Sequence, residues 1–390
     1  MGKWVKKKLG DYVVLQGGFA FQSKDFVEDG VPLIRIGDIT KEGLCDENAV
    51  KLPVNFLDEC KEFALNEYDT IIAMSGATTG KCTIVSKKNL PALLNQRVGR
   101  FKIKNSSIDK LYLYYIVSSY YYQQKLLLDA IGGAQPNVSP RQIEKVICAF
   151  PILLDGSPDF FEQRRIASIL SSADKVIDST QKLIAKYKQI KQGMMEDLLK
   201  PKEGWKKVKL GEVGEINPPN KESIPERFVY VDLESVVAGQ LLFENIIVKK
   251  GAPSRAQRIT YENDVLYQTV RPYQKNNYIH KKAGNYVAST GYALIRCNVN
   301  YSSDFVYYVL HTYKFESNVL GLCTGTSYPA IAPNNLKKIE IFVPDLSEQR
   351  RIASILSSID KKIESEEKVL YKYKNIKKGL MEKLLKEEEV

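Results

Sequence analysis

Two stretches of the sequence hold residue types that could do chemistry, and each departs from the motif that chemistry requires. Ser75-Gly76-Ala77-Thr78-Thr79-Gly80-Lys81 is close to a phosphate-cradling loop. A nucleoside-triphosphate loop needs four residues between its glycines, then Lys followed by Ser or Thr. Here three residues separate Gly76 from Gly80, and Cys82 follows Lys81. What remains is a glycine-rich turn whose backbone N–H groups, with Ser75, Thr78, Thr79 and Lys81, suit contacts to nucleic-acid phosphates. Asn217-Pro218-Pro219-Asn220 approaches the Asn-Pro-Pro-aromatic motif of amino-methyltransferases, but Asn220 cannot stack on a flipped base. No glycine-rich S-adenosylmethionine loop accompanies it, so it reads as a proline turn. The six cysteines (Cys45, Cys60, Cys82, Cys148, Cys297 and Cys323) form no CxxC pair, which points to a reducing cytosol rather than a zinc site or a disulfide framework. Two histidines, His280 and His311, cannot build a His-rich metal centre, and no Ser/His/Asp order or nuclease carboxylate cluster is recognisable. The sequence carries no catalytic constellation.

Charge points to binding instead. Lys and Arg number 57 against 46 Asp and Glu, a net charge of +11 on 390 residues. Such a balance favours a polyanionic partner through release of phosphate counterions. The basic start MGKWVKKKLGDY lacks the apolar core of a signal peptide, and no apolar run nears the ~18 residues needed to span a bilayer. The expectation is a cytoplasmic protein with no membrane partner.

The elements that must position any binding residues are organised by a repeat. EQRRIASILSSADKVIDSTQKLIAKYKQIKQGMMEDLLK begins at Glu162, and EQRRIASILSSIDKKIESEEKVLYKYKNIKKGLMEKLLK begins 186 positions later at Glu348. Of 39 aligned positions, 27 are identical. In the first copy Ile166, Leu170, Ala173, Ile177, Ile184, Tyr187, Met194 and Leu198 follow the alternating three-and-four spacing of a coiled-coil seam. The second copy matches it position for position. Polar residues interrupt the seam at Thr180 and Lys191, and at Glu366 and Lys377. Each copy predicts one long helix, and Pro201 stops the first.

A weaker repeat frames the rest. WVKKKLGDY at Trp4 is echoed by WKKVKLGEV at Trp205, and GAQPNVSPRQIEKVICAFP at Gly133 by GTSYPAIAPNNLKKIEIFVP at Gly325. Between these frames the two interiors diverge. Short β-rich runs alternate with Gly and Asn turns, and a Tyr-rich stretch from Ile108, with its counterpart from Ser303, reads as an amphipathic core helix. The expected fold class is mixed α/β (α+β): two globular modules, 1–155 and 201–345, separated by two long antiparallel coiled-coil helices, 160–200 and 346–388, in a pseudo-twofold repeat.

The EQRRIASIL repeats, the Trp-x-x-x-x-Leu-Gly openings and the closing Ser139-Pro140 and Ala332-Pro333 phrases resemble type I restriction-modification specificity subunits, over essentially the whole chain. The resemblance implies two target recognition domains, each reading one half of a bipartite DNA site. It also implies paired helices that space the domains and dock two methyltransferase subunits, joined by two translocase-nuclease restriction subunits for cleavage. The chain itself would bind no cofactor; S-adenosylmethionine, ATP and Mg2+ belong to the partners. Helices of about 35 residues are on the order of 50 Å long, and one turn of duplex is about 34 Å, so the half-sites would be separated by several unread base pairs.

The family points to glycine-rich and polar loops as the readers. In the first module these are Gln16-Gly17-Gly18, Ser75 with Thr78, Thr79 and Lys81, Asn95-Gln96-Arg97, and Gln135 with Asn137. In the second they are Arg271, Tyr273, Gln274, Lys275, Asn276 and Asn277, then Thr326, Ser327 and Tyr328. Arg, Gln and Asn can make bidentate base contacts, whereas Lys mainly holds phosphate. Arg164, Arg165, Arg350 and Arg351, at the start of both helices, are candidates for partner docking, or for plain helix capping. Two other readings stay open: a DNA-binding regulator that works alone, and a tether joining two protein-binding domains, which would show little salt-dependent affinity for duplex.

Overall fold

The computed structural model of the chain describes residues 3–40, 43–128, 137–325 and 327–386. Two compact units form: Met1–Gln181 with Val369–Val390, and Lys182–Lys368. Each contains one module and a piece of both long helices.

In the first unit, β1 (Val13–Gly17), β2 (Thr70–Ala73), β3 (Cys82–Ile84) and β4 (Val98–Ile103) make an antiparallel sheet in the order β1-β4-β2-β3. A second sheet pairs Val31–Ile34 with Lys51–Leu52 and, in parallel, with Leu93–Leu94. Helices α1 (Lys110–Ser118) and α2 (Tyr120–Leu128) cover the first sheet with the Tyr-rich stretch. Tyr112, Tyr115 and Tyr122 are buried in one core with Tyr12 and Phe150, as an amphipathic core helix requires. Local chemistry fixes the helix starts. Asp109 accepts from the backbone N–H groups of Leu111 and Tyr112, while Ser139 caps α3 (Pro140–Lys145), with proline in its first turn.

The second unit repeats this plan. β5 (Gly214–Ile216), β6 (Val265–Gln268), β7 (Tyr278–Ile279) and β8 (Tyr292–Cys297) take the order β5-β8-β6-β7. Arg227–Val231 again pairs in parallel with a strand, Tyr286–Ser289, in the second sheet. Helices α5 (Ser303–Val309) and α6 (Tyr313–Gly321) bury Phe305, Tyr308 and Phe315, and α7 (Pro333–Lys338) starts on its proline.

The sequence repeats are the helices α4 (Phe160–Leu198) and α8 (Leu346–Leu384), 39 residues each. The compact units cut across the boundaries 160–200 and 346–388, because each helix packs one part into each core. In the first unit Ile166 and Leu170 of α4 share a core with Leu380, Met381 and Leu384 of α8, and Asp174 pairs with Lys377. In the second, Lys188 pairs with Glu367 and Lys191 with Asp360. In both units the numbers rise on one helix as they fall on the other, so the segments run antiparallel.

The polar breaks in the seam have a use. In the first unit Asp174 accepts a hydrogen bond from the Tyr115 hydroxyl at 2.8 Å and from Lys377 at 2.5 Å, and the Lys377 ammonium lies 5.7 Å above the Tyr115 ring. In the second, Asp360 accepts from Tyr308 at 2.8 Å and pairs with Lys191 at 2.6 Å, with that ammonium 5.6 Å from the Tyr308 ring. Gln163 and Gln349 likewise accept from the backbone N–H groups of Asp109 and Ser302. Lys191 and Lys377, 186 positions apart, thus close equivalent latches between both helices and a module. Among the described residues no helix is long and apolar enough to cross a membrane, and no cluster of His, Cys, Asp or Glu could hold a metal ion.

Candidate nucleic-acid interface

The ladder register makes the two modules comparable residue by residue. In the first, Ala73 lies opposite Val98, the Met74 N–H donates to the Arg97 carbonyl, and Ser75 bridges Asn137. In the second, Gln268 lies opposite Tyr292, the Thr269 N–H donates to the Gly291 carbonyl, and Val270 bridges Ala330. The turn after β2 therefore corresponds to the turn after β6. Ser75–Lys81 and Arg271–Asn277, chosen separately in the sequence, are one structural loop. Its two left-handed corners also correspond: Gly76 (φ 78°) and Gly80 (φ 84°) in the first module, Arg271 (φ 53°) and Lys275 (φ 55°) in the second.

In the first module this turn, the 95–97 loop and the closing phrase enclose a cleft of about 490 Å³ lined by Ser75, Gly76, Gln96, Arg97, Asn137 and Ser139. Four residues named from three separate stretches of sequence therefore share it. Gln96, Arg97 and Asn137 are exposed. The Ser75 hydroxyl is buried without a partner among the described residues. Thr78 and Thr79 donate inward, to the carbonyls of Ile36 and Gly76, and hold the turn itself. Gln16 is also committed. Its carbonyl oxygen accepts from Arg100 at 3.2 and 2.6 Å, and its amide donates to Glu62. Arg100, 5% exposed, further donates to Asp69 and to the carbonyls of Ala64 and Glu62. Gln16-Gly17-Gly18 is thus scaffold beneath the cleft: a Cβ on Gly18 would stand 2.3 Å from the carbonyl oxygens of Leu94 and Asn95. Asn95 and Lys81 are half-buried beside the same loops, and Gln135 lies outside the described residues.

In the second module Gln268, only 1% exposed, organises the loop from below. Its amide donates to Gln274 and to the Val270 carbonyl, and its oxygen accepts from the Asn276 N–H. Asn277, equally buried, accepts from the Gln268 N–H and packs its amide against His311 Nε2 at 3.3 Å. His311 Nδ1 donates to the Tyr307 carbonyl at 2.7 Å, and burial pushes its pKa down to about 4, so the ring is neutral and its Nε2 accepts. Lys275 pairs with Glu316 of α6 at 2.8 Å. Gln274, Lys275, Asn276 and Asn277 thus commit polar groups to partners within the module, the Asn276 side-chain oxygen accepting from the Ala238 N–H. Arg271 does not: its guanidinium lies 4.3 Å from the centre of the Tyr328 ring, which is 65% exposed. Tyr273 and Ser327 are exposed nearby in sequence, and Thr326 lies outside the described residues. Sequence reading missed Gln268, His311 and Arg100. Gln268 and Arg100 lie three residues from the named loops and His311 far along the chain, and only their burial and partners mark them.

At the helix starts Arg165 and Arg351 fold back onto Glu162 and Glu348 one turn earlier. Arg164, 73% exposed at its side chain, pairs with Asp109 at 3.7 Å, and Arg350 is exposed.

Comparison with known proteins decides the family. A model of the type I restriction-modification DNA specificity domain matches residues 1–189 and again 202–372. The chain belongs to this family. Among curated relatives, the MjaVIII specificity subunit of Methanocaldococcus jannaschii is 30% identical over 202 residues, and the EcoAI specificity subunit of Escherichia coli 28% identical over 192. These matches span 50% and 48% of this chain but only 45% and 31% of the relatives. The MjaX specificity subunit, named as putative, is 26% identical over 98% of this chain and 92% of its own length. An S subunit from M. genitalium superposes with a TM-score of 0.64 at 15% identity, covering 98% of this chain and 96% of that one. A chain from a type I R-M system superposes with a TM-score of 0.57 at 16% identity. At such identity these two speak for the specificity-subunit fold.

Proposed function

We propose that this chain is the non-catalytic DNA specificity subunit of a type I restriction-modification complex, each module reading one half of an asymmetric bipartite site. One observation carries the reading. The same seven-residue turn, closed by the same bridge, occurs twice and bears different side chains: Gly, Ala, Thr, Thr and Gly at 76–80 in one module, Arg, Pro, Tyr, Gln and Lys at 271–275 in the other. A constant frame with divergent polar contents suits two readers of different sequences. The family match over both halves and the net charge of +11 support duplex DNA as the target.

The remaining parts follow from the family. The paired helices set the gap between half-sites and dock two methyltransferase subunits. Arg164 and Arg350 serve that docking, while Arg165 and Arg351 shape the helix starts. Two translocase-nuclease subunits complete the cleaving assembly. S-adenosylmethionine, ATP and Mg2+ are bound by the partners. Exchanging residues 201–345 for the second module of another family member tests the division of labour. The expected result is a motif changed in one half-site only. A motif altered in both halves, or in neither, refutes it.

A further inference from the structure

The two modules differ in a reciprocal way at these loops. At the first left-handed corner the first module has Gly76 and the second has Arg271. On the facing loop, at the carbonyl that accepts from Met74 or Thr269, the first module has Arg97 and the second has Gly291. Each module thus carries one guanidinium and one glycine at this pair of positions, on facing loops.

Arg271 sits where glycine is the unstrained choice. A non-glycine residue pays a steric cost there, between its Cβ and the following carbonyl oxygen. The other corner has a structural explanation. Gly80 lies against Gln123, where a Cβ would approach the amide oxygen to 2.7 Å, and Lys275 pairs with Glu316. Arg271 has no such explanation. Its side chain has neither a hydrogen bond nor an ion pair among the described residues, although its guanidinium lies over the Tyr328 ring. Buried Pro272 and the Gln268 network stiffen the loop beneath it. Arg97, too, is exposed and has no side-chain partner among the described residues. It lines the cleft with Asn137 and the unpartnered Ser75 hydroxyl. A rigid, unsatisfied guanidinium fork matches the O6 and N7 acceptors on the major-groove edge of guanine.

The geometry points to Arg97 and Arg271 as the specificity-determining residues of the two modules, each reading one guanine, presented from opposite members of the pair of facing loops that both modules share. This rests on the reading of the chain as a specificity subunit. The test co-expresses the full chain with the methyltransferase subunit of its own system and maps modified bases by sequencing. The wild type, Arg97→Ala, Arg271→Ala, Arg271→Lys and Arg271→Gly chains are compared, with a melting curve for each. The expected wild-type motif has a guanine in each half-site. Arg97→Ala relaxes one position of the first half-site about tenfold or more, and Arg271→Ala one position of the second, with every other position unchanged. Arg271→Lys, which keeps the charge but not the fork, relaxes the same position. Arg271→Gly does so too without melting earlier than wild type. A wild-type chain that directs no bipartite motif overturns the functional reading and this assignment with it. A wild-type bipartite motif that survives the Arg271 or Arg97 substitutions, that loses all its positions equally, or that lacks guanine at the relaxed positions overturns the assignment alone.

Discussion

Removing the carboxylate of Asp174 should open the latch of the first unit. It accepts from the Tyr115 hydroxyl at 2.8 Å and from Lys377 at 2.5 Å, with Tyr115 2% exposed. Burial, and then the neighbouring carboxylate, push the Tyr115 phenol well above its usual range, so it remains a donor at any working pH. A hydrogen bond to a charged acceptor contributes about 1.5–3 kcal/mol. The ion pair, with side chains 22% and 37% exposed, adds under about 1 kcal/mol. Asp174→Ala should therefore cost about 2 kcal/mol. For a unit of this size that lowers the melting temperature by roughly 4–8 °C. Tyr115→Phe should cost about 1–1.5 kcal/mol, and the double variant little more than Asp174→Ala alone. Denaturant unfolding of the four proteins gives the coupling directly. Additive losses, with coupling below about 0.3 kcal/mol, would refute the latch.

The same substitutions at Asp360 and Tyr308 should destabilise the second unit by a similar amount, measured on its own unfolding transition. Arg100→Met should cost the first unit about 3–5 kcal/mol, because it strands Asp69 and two carbonyl groups; a loss below 1 kcal/mol in denaturant titration speaks against that network. The His311 ring, held neutral by burial with its pKa near 4 against about 6.5 unfolded, binds its proton more readily in the unfolded chain. The stability of the second unit should therefore be full above about pH 6.5 and decline towards pH 4, with a shallower decline in His311→Gln, by thermal melts across that range. Binding to duplex should fall steeply between 50 and 200 mM salt by fluorescence anisotropy; a flat response favours the tether reading.

Much of the architecture was legible because it is written twice. Near-identity of the EQRRIASIL segments announces two equivalent helices, and their three-and-four spacing announces a shared seam. The Tyr-rich stretches declared themselves as core by amphipathic spacing. How the helices are shared was not legible: Lys191 and Lys377 look like flaws in a seam until Asp360 and Asp174 are placed opposite them. The correspondence of the two named turns was not legible, since Gly76 and Arg271 share no residue type and only ladder register aligns them. Gln16 and Asn277 have the chemistry of base readers and are used as scaffold. That distinction rests on burial and on partners distant in sequence, such as Arg100 and His311.

The most direct test of the central claim is the methylation pattern of host DNA when the methyltransferase subunit is expressed with and without this chain. The account predicts an asymmetric, two-part motif with a fixed gap that appears only when the chain is present. Once the complex is shown to assemble, methylation that is absent, or unchanged when the chain is omitted, would contradict it.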